Sequence, residues 1–180
     1  MKETVKPRGK PLSGEEMKQV CHVVARPQVK YAWAVGVAMS HFLAGLKQGK
    51  ILGRTCVQCE RILVPPRMFC ERCYRTTDEW VELPGTGVIE TFSISYIDTD
   101  ANRIKEPIFV GVLAFDGAPP HSGIMHYFGE VSQDAIHIGM PVEPVWKPGG
   151  ERVGAITDIK YFRPREGARP SSNSKRRKRG

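Results

Sequence analysis

Two hydrophobic periods divide this chain. Up to about residue 50 the apolar residues recur at helical spacing; from Trp80 onward they alternate. Ser13-Gly14-Glu15-Glu16 has the S-x-x-E form of a capping box, and Met17, Val20, Cys21 and Val24 follow on one stripe until Arg26-Pro27 stops it. Cys21 on that stripe reads as a small buried hydrophobe rather than a reactive thiol. A second helix is predicted from about Tyr31 to Lys47, ended by Gly49. Trp33, Val35, Val37, Met39, Phe42, Leu43 and Leu46 make it apolar on nearly every side. A chain this small buries little at its centre, so the helix is expected to dock on a partner protein through Trp33, Phe42, Leu43 and Leu46.

The alternating half predicts strands at 80–83, 88–97, 108–115, 123–129, 141–147 and 153–162, each bounded by Gly, Pro or Asp. Gly85-Thr86-Gly87 marks a bulge or sharp bend, Ser132 to Ile138 offers one helical turn, and Pro148-Gly149-Gly150 closes a hairpin. Five or six short antiparallel strands with one helical insert suit a small closed barrel, of which the OB-fold is the commonest design. The expected class is mainly β with N-terminal helices: a zinc ribbon followed by an OB-fold barrel. The expected organisation is an arm with a short helix (1–30), a docking helix (31–50), the ribbon (51–78), the barrel (79–165) and a disordered basic tail (166–180).

The ribbon rests on Cys56-Val57-Gln58-Cys59 and Cys70-Glu71-Arg72-Cys73. Two C-x-x-C turns can converge four thiolates on one tetrahedral metal, and zinc is the usual occupant. An all-sulfur, four-coordinate site leaves no position for water or substrate, so it builds structure. Iron uses the same four ligands, and two disulfides use the same cysteines. No export signal is legible at the N-terminus, so the thiols are expected in a reducing cytoplasm. Metal knuckles often carry Gly just after the second Cys; Glu60 and Tyr74 stand there instead, so strained turns are expected.

Charge changes the picture of partners. Of the formal +8, residues 1–50 contribute +6 and 161–180 contribute +7, while 51–160 carry −5. A folded nucleic-acid reader places its basic patch on the domain surface, so this distribution argues against one. The rival reading is nonetheless a ribbon/OB module that stacks single-stranded nucleic acid on barrel aromatics. No segment is long and apolar enough to span a bilayer: Tyr31 to Leu46 is interrupted by Gly36, His41 and Gly45.

The full run SHFLAGLKQGKILGRTCVQCERILVPPRMFCERC, then EWVELPGTGVIETFSISY, resembles the rubredoxin-like zinc-ribbon/OB-fold proteins that accompany acyl-CoA enzymes. The features that match are Phe42-Leu43, Gly49-Lys50-Ile51, the four cysteines, Pro65-Pro66-Arg67, Trp80 and Gly85-Thr86-Gly87-Val88, with GMPVEPVW and YFRP beyond. The resemblance covers roughly 31–165. It implies a structural Zn²⁺ and an obligate catalytic partner of the thiolase superfamily, such as the large subunit of a benzoylsuccinyl-CoA thiolase. The partner would supply the catalytic Cys and His residues, while this subunit shapes or shields the acyl-CoA channel. A CoA arm wants a few cations beside an apolar groove. Arg67, Arg103, Lys105 and Phe109 are the candidates for that contact. No catalytic residue is predicted: four cysteines are committed to metal, and His41, His121, His126 and His137 lack a companion carboxylate at motif spacing.

Overall fold

A computed structural model of the protein describes residues 9–20, 30, 32–118 and 122–165. It separates into two units, one ending at Trp33 and one beginning at Ala34. In the first, α1 (Gly14–Lys18) carries the expected capping box: the Glu16 N–H donates to Ser13 Oγ at 3.2 Å, and the Ser13 N–H donates to Glu16 Oε2 at 2.8 Å. None of its residues is buried. Cys21, Val24, Arg26 and Pro27 lie outside the described residues.

The second unit opens with α2 (Gly36–Gln48). It starts five residues later than the spacing predicts, because Gly36 adopts φ 77°, a backbone turn that a continuous right-handed helix does not contain. Its end is as expected: Gly49 is left-handed at φ 78°, and the Gly49 and Lys50 N–H groups donate to the Leu46 and Gly45 carbonyls, a Schellman motif. One stripe of α2 (Ala38, Phe42, Gly45 and Leu46) is buried. Phe42 (1% exposed) and Leu46 (0%) enter the main core with Ile51, Val64, Leu83 and Ile159. This corrects the expectation that they face a partner. The helix is seated on the chain's own sheet, and Gly45 permits it: a Cβ there would meet Leu52 Cδ1 at 2.8 Å.

Beneath α2, β1 (Ile51–Cys56) is the middle of a three-stranded antiparallel sheet, flanked by β2 (Arg61–Leu63) and β5 (Trp80–Leu83). The short β3 (Phe69–Cys70) pairs with β4 (Arg75–Thr76). The barrel comprises β6 (Gly87–Ile97), β7 (Arg103–Phe115), β8 (Gly123–Phe128), β9 (Pro141–Trp146) and β10 (Ile159–Pro164), closed in the order β10-β8-β7-β6-β9. Strand alternation sends Ile89, Leu113, Phe115, Ile124, Phe128, Val142 and Phe162 inward.

The expected sharp bend falls at Gly85 (φ 80°), and a bulge follows at Glu90, where register shifts between Ile89 and Thr91. Two details differ from the sequence reading. β7 begins at Arg103, five residues early, because it continues the hairpin with β6 past the barrel: Ile97 pairs with Arg103. The last strand begins only at Ile159. Before it, the Asp158 carboxylate accepts the N–H groups of Val153, Gly154 and Ala155 at 3.0, 2.7 and 3.1 Å, folding that stretch into a loop and a 3-10 turn (Ile156–Asp158).

Ribbon and barrel are joined by more than the chain. Ser122, just before β8, accepts the Val64 N–H at 3.0 Å and donates to the Ile62 carbonyl at 2.7 Å. A single hydroxyl thus serves both backbone groups at the end of β2.

Candidate metal centre

β1 ends in Cys56 and β3 ends in Cys70, so strands of two separate sheets deliver the first cysteine of each knuckle. The backbone then turns after each to bring back Cys59 and Cys73. The turns close at Glu60 (φ 54°) and Tyr74 (φ 53°), the two positions where glycine was missed. Both hold the left-handed conformation that costs an L-residue about 1–2 kcal/mol. The four sulfurs lie within 4.8 Å of one another, and Cys59 and Cys70 Sγ are 3.7 Å apart. Four ligands about 2.3 Å from a tetrahedral ion are separated by about 3.8 Å, so the donor set fits zinc. Cys56 and Cys70 are fully buried.

The surroundings suit thiolates. Arg61, the first residue of β2, donates Nε–H to Cys59 Sγ at 3.4 Å and Nη2–H to Cys70 Sγ at 3.5 Å. Glu71 holds the same guanidinium at 3.0 Å. The Arg61 contact lowers the Cys59 thiol. Burial raises Cys70, but Arg61 and the N–H groups of Cys73 and Arg72 outweigh it and leave Cys70 at about 6. Cys73 has no such cation, and burial pushes it up to about 12. A bound Zn²⁺ would hold all four as thiolates. Asp78 fixes the first knuckle by accepting the Val57 N–H at 2.9 Å while it pairs with Arg75 at 2.8 Å.

A second polar device, which the sequence reading missed, supports the ribbon from behind. Arg54 is buried; it donates to Thr77 Oγ1 at 2.7 Å and to the Thr77 and Asp78 carbonyls at 2.8 and 2.6 Å. Its guanidinium lies 4.8 Å from the Trp80 ring, and His41 of α2 stacks on that ring at 4.4 Å. The only available signal was Trp80 itself, which sequence alone did not connect to either partner.

The four candidate CoA contacts are not brought into one cavity. Arg67 sits on the ribbon, paired with Glu71 at 3.2 Å. Arg103 and Lys105 are exposed on the distal part of β7, and Phe109 is half-buried against the core. An apolar cavity of about 480 Å³ lies elsewhere, between Met125 and Tyr127 on one side and Ile156 and Lys160 on the other. Of the docking candidates, Trp33 is exposed in the first unit and Leu43 is half-buried against the core. The ribbon exposes Val57, Met68, Phe69 and Tyr74, none of which the sequence reading named as a docking residue. His41, His126 and His137 contact a ring or backbone atoms rather than a carboxylate, and His121 lies outside the described residues.

A sealed four-thiolate ribbon packed on a five-stranded closed barrel defines a zinc-ribbon/OB-fold protein. Residues 43–79 match the rubredoxin-like zinc ribbon domain of ChsH2, and residues 80–147 match the ChsH2 C-terminal OB-fold domain. The chain belongs to that family. It is 26% identical over 120 residues to a DUF35 domain-containing scaffold protein of Methanocaldococcus jannaschii, spanning 64% of this chain and 82% of the relative. A scaffold protein of the same description from Methanothermobacter thermautotrophicus is 29% identical over 99 residues, 54% of this chain and 71% of that one. Among solved structures, a DUF35-family protein of unknown function from Sulfolobus solfataricus superposes with TM-score 0.51 at 29% identity, covering 61% of this chain and 78% of that one. The structure described as the Ltp2-ChsH2(DUF35) aldolase shares the fold at TM-score 0.50 and 21% identity, over 77% of this chain and 98% of that one. Among the described residues no helix is long and apolar enough to cross a membrane.

Proposed function

We propose that this chain is a non-catalytic, zinc-stabilised scaffold subunit that docks on a thiolase-superfamily catalytic subunit and helps shape or shield the acyl-CoA channel. The observation that carries the reading is the closed sulfur site: four cysteines fill a tetrahedral shell and leave no place for a reactant. Family membership supports it. The archaeal relatives are described as scaffold proteins, and the similar solved fold is one component of an aldolase described with Ltp2.

In this reading the ribbon is the docking body. Zinc fixes both knuckles, and the knuckles present Val57, Met68, Phe69 and Tyr74 to solvent. Exposed apolar side chains on a rigid, metal-held turn are what a protein partner covers at low entropic cost. Arg67, on the ribbon, supplies a cation for an acyl-CoA phosphate, Arg103 and Lys105 lie apart from it on the distal part of β7, and the partner supplies nucleophile and base.

The test is coexpression with the thiolase-superfamily proteins encoded beside it. A mixed complex with zinc in this subunit, and turnover that requires both chains, supports the proposal. A stable monomer indifferent to every such protein overturns it, as does thioester turnover by this chain alone. Phe69→Asp and Tyr74→Asp should abolish copurification while leaving zinc content unchanged.

A further inference from the structure

The outer wall of the barrel is polar on one strand and apolar two strands away. Thr91 of β6, Val112 of β7 and Met125 of β8 stand opposite one another in register, and so do Ser93, Val110 and Tyr127. Residues in register share a face of the sheet. The alternate positions, among them Phe92, Leu113, Ile124 and Phe128, belong to the core, so these two rows face outward. A solvated sheet face favours polar side chains, and β6 supplies them with Thr91 and Ser93. β8 departs from that rule: Met125 and Tyr127 are large apolar side chains left exposed.

Beside them the wall opens. β8 is joined to β10 by the single parallel pair Phe128↔Phe162. Further back along β8 lies the apolar cavity of about 480 Å³, with Val110, Met125 and Tyr127 on one side and Ile156, Ile159 and Lys160 on the other. Small-ligand sites ordinarily hold about 300–1,000 Å³. Backbone groups beside the opening are already partnered by the buried His126 ring. Its Nδ1 accepts the Tyr127 N–H at 2.9 Å, and its Nε2 lies 3.3 Å from the Ile156 carbonyl. The opening is thus left with apolar side chains for walls.

The charge on those walls has one sign. Lys147, after β9, and Lys160, of β10, line the cavity, and no carboxylate does. The backbone of Lys147 is fixed there, since its N–H donates to the Asp158 carbonyl at 2.8 Å. The Asp158 carboxylate accepts the N–H groups of Val153, Gly154 and Ala155 instead of lining the space. Two ammonium groups beside an apolar wall attract an anion more strongly than the same groups in open water. An apolar surface by itself would suit any greasy molecule; two lysines without a carboxylate select one that carries negative charge.

We propose that this cavity binds a small organic anion, its apolar body against Val110, Met125, Tyr127 and Ile156 and its carboxylate toward Lys147 and Lys160. The site is complete on this chain, so it goes beyond the docking reading and stands or falls without a partner subunit.

NMR titration of the full zinc-loaded chain tests it, with phenylbutyrate as the probe, phenylbutyramide as its uncharged counterpart and acetate as the head group alone. Phenylbutyrate should shift the Met125, Ile156 and Ile159 methyl signals saturably. The amide should bind about tenfold more weakly, the usual value of a charge-assisted contact. Acetate should not saturate the site. Joint Lys147→Gln and Lys160→Gln substitution should weaken phenylbutyrate about tenfold and leave the amide unchanged. Absence of saturable shifts, equal binding of acid and amide, or full affinity in the double variant overturns the proposal. So does movement of the same signals with protein concentration alone, which would seat a second copy in the cavity. Loss of probe binding in the complex with a catalytic subunit would give the cavity to a partner side chain, and also overturns it. Should the double variant fail to fold, the three probes on the wild-type chain decide.

Discussion

Arg61 reaches the sulfur of Cys59 at 3.4 Å with the same guanidinium whose other nitrogen reaches Cys70 at 3.5 Å, so one cation bridges the two knuckles. Cys59 closes the first knuckle and Cys70 opens the second, and their sulfurs are the pair 3.7 Å apart. The contact orients both sulfurs and would offset charge on the four thiolates of a zinc-loaded site.

Removing that cation should weaken metal retention. Arg61→Ala is expected to lower zinc affinity about 10–100-fold, the usual cost of losing a partner behind the ligands. Arg61→Lys should fall between, since a single ammonium cannot fork to two sulfurs. Competition against a colorimetric chelator measures it.

Loss of a ligand should act on folding rather than chemistry. Cys56→Ser is expected to eliminate stoichiometric zinc and unfold residues 51–78, because ligation free energy there is folding free energy. Metal analysis with circular dichroism checks the first part. In a complex with its partner, the variant should fail at assembly, before any turnover is lost.

The two knuckle turns invite stabilisation. Glu60 and Tyr74 sit at φ 54° and 53°, and Tyr74 is 82% exposed. Replacing either with Gly removes the left-handed penalty but adds unfolded-state entropy, leaving a net gain of about 0.5–1 kcal/mol. Thermal unfolding of the zinc-loaded protein should show a higher midpoint for each.

α2 separates core from surface. Phe42→Ala should destabilise by about 3–5 kcal/mol, the cost of a cavity in a packed core. Val37→Ser, on the exposed side of the same helix, should change stability by less than about 0.5 kcal/mol. Denaturant unfolding distinguishes them.

Asp158 gives the fold an acid-side pH signature. Burial raises its carboxyl, but the three backbone N–H groups outweigh that and hold it below 3.8. Its stabilisation is full above the unfolded value and is lost as pH falls through the folded one. Asp158→Ala should cost about 1–3 kcal/mol at pH 7, and the gap from wild type should narrow steadily below about pH 4. Parallel urea titrations across that range check it.

Much of this was legible because short-range chemistry carried it. The capping box at Ser13–Glu16, the glycine stop at Gly49 and the Cys pairs are local signals present where the spacing put them, and the alternating strands are present with β7 starting five residues early and β10 six residues late. What misled was α2. Its composition is apolar all round, and spacing alone could not say that β1 would take up Phe42 and Leu46. The Asp158 loop was read as strand for the same reason: residues 153–158 alternate acceptably, and only a buried carboxylate turning back on three N–H groups forbids it.

By itself the sequence determined the ligand set, the class of fold and the strained left-handed turns, since these depend on residue type and separation along the chain. The tertiary structure alone decided which apolar residues are core, which cation faces the thiolates, and which backbone carbonyl the His126 ring meets. Those depend on groups far apart in sequence, such as Arg54 with Trp80, Ser122 with Val64 and His126 with Ile156, whose meeting no local period encodes.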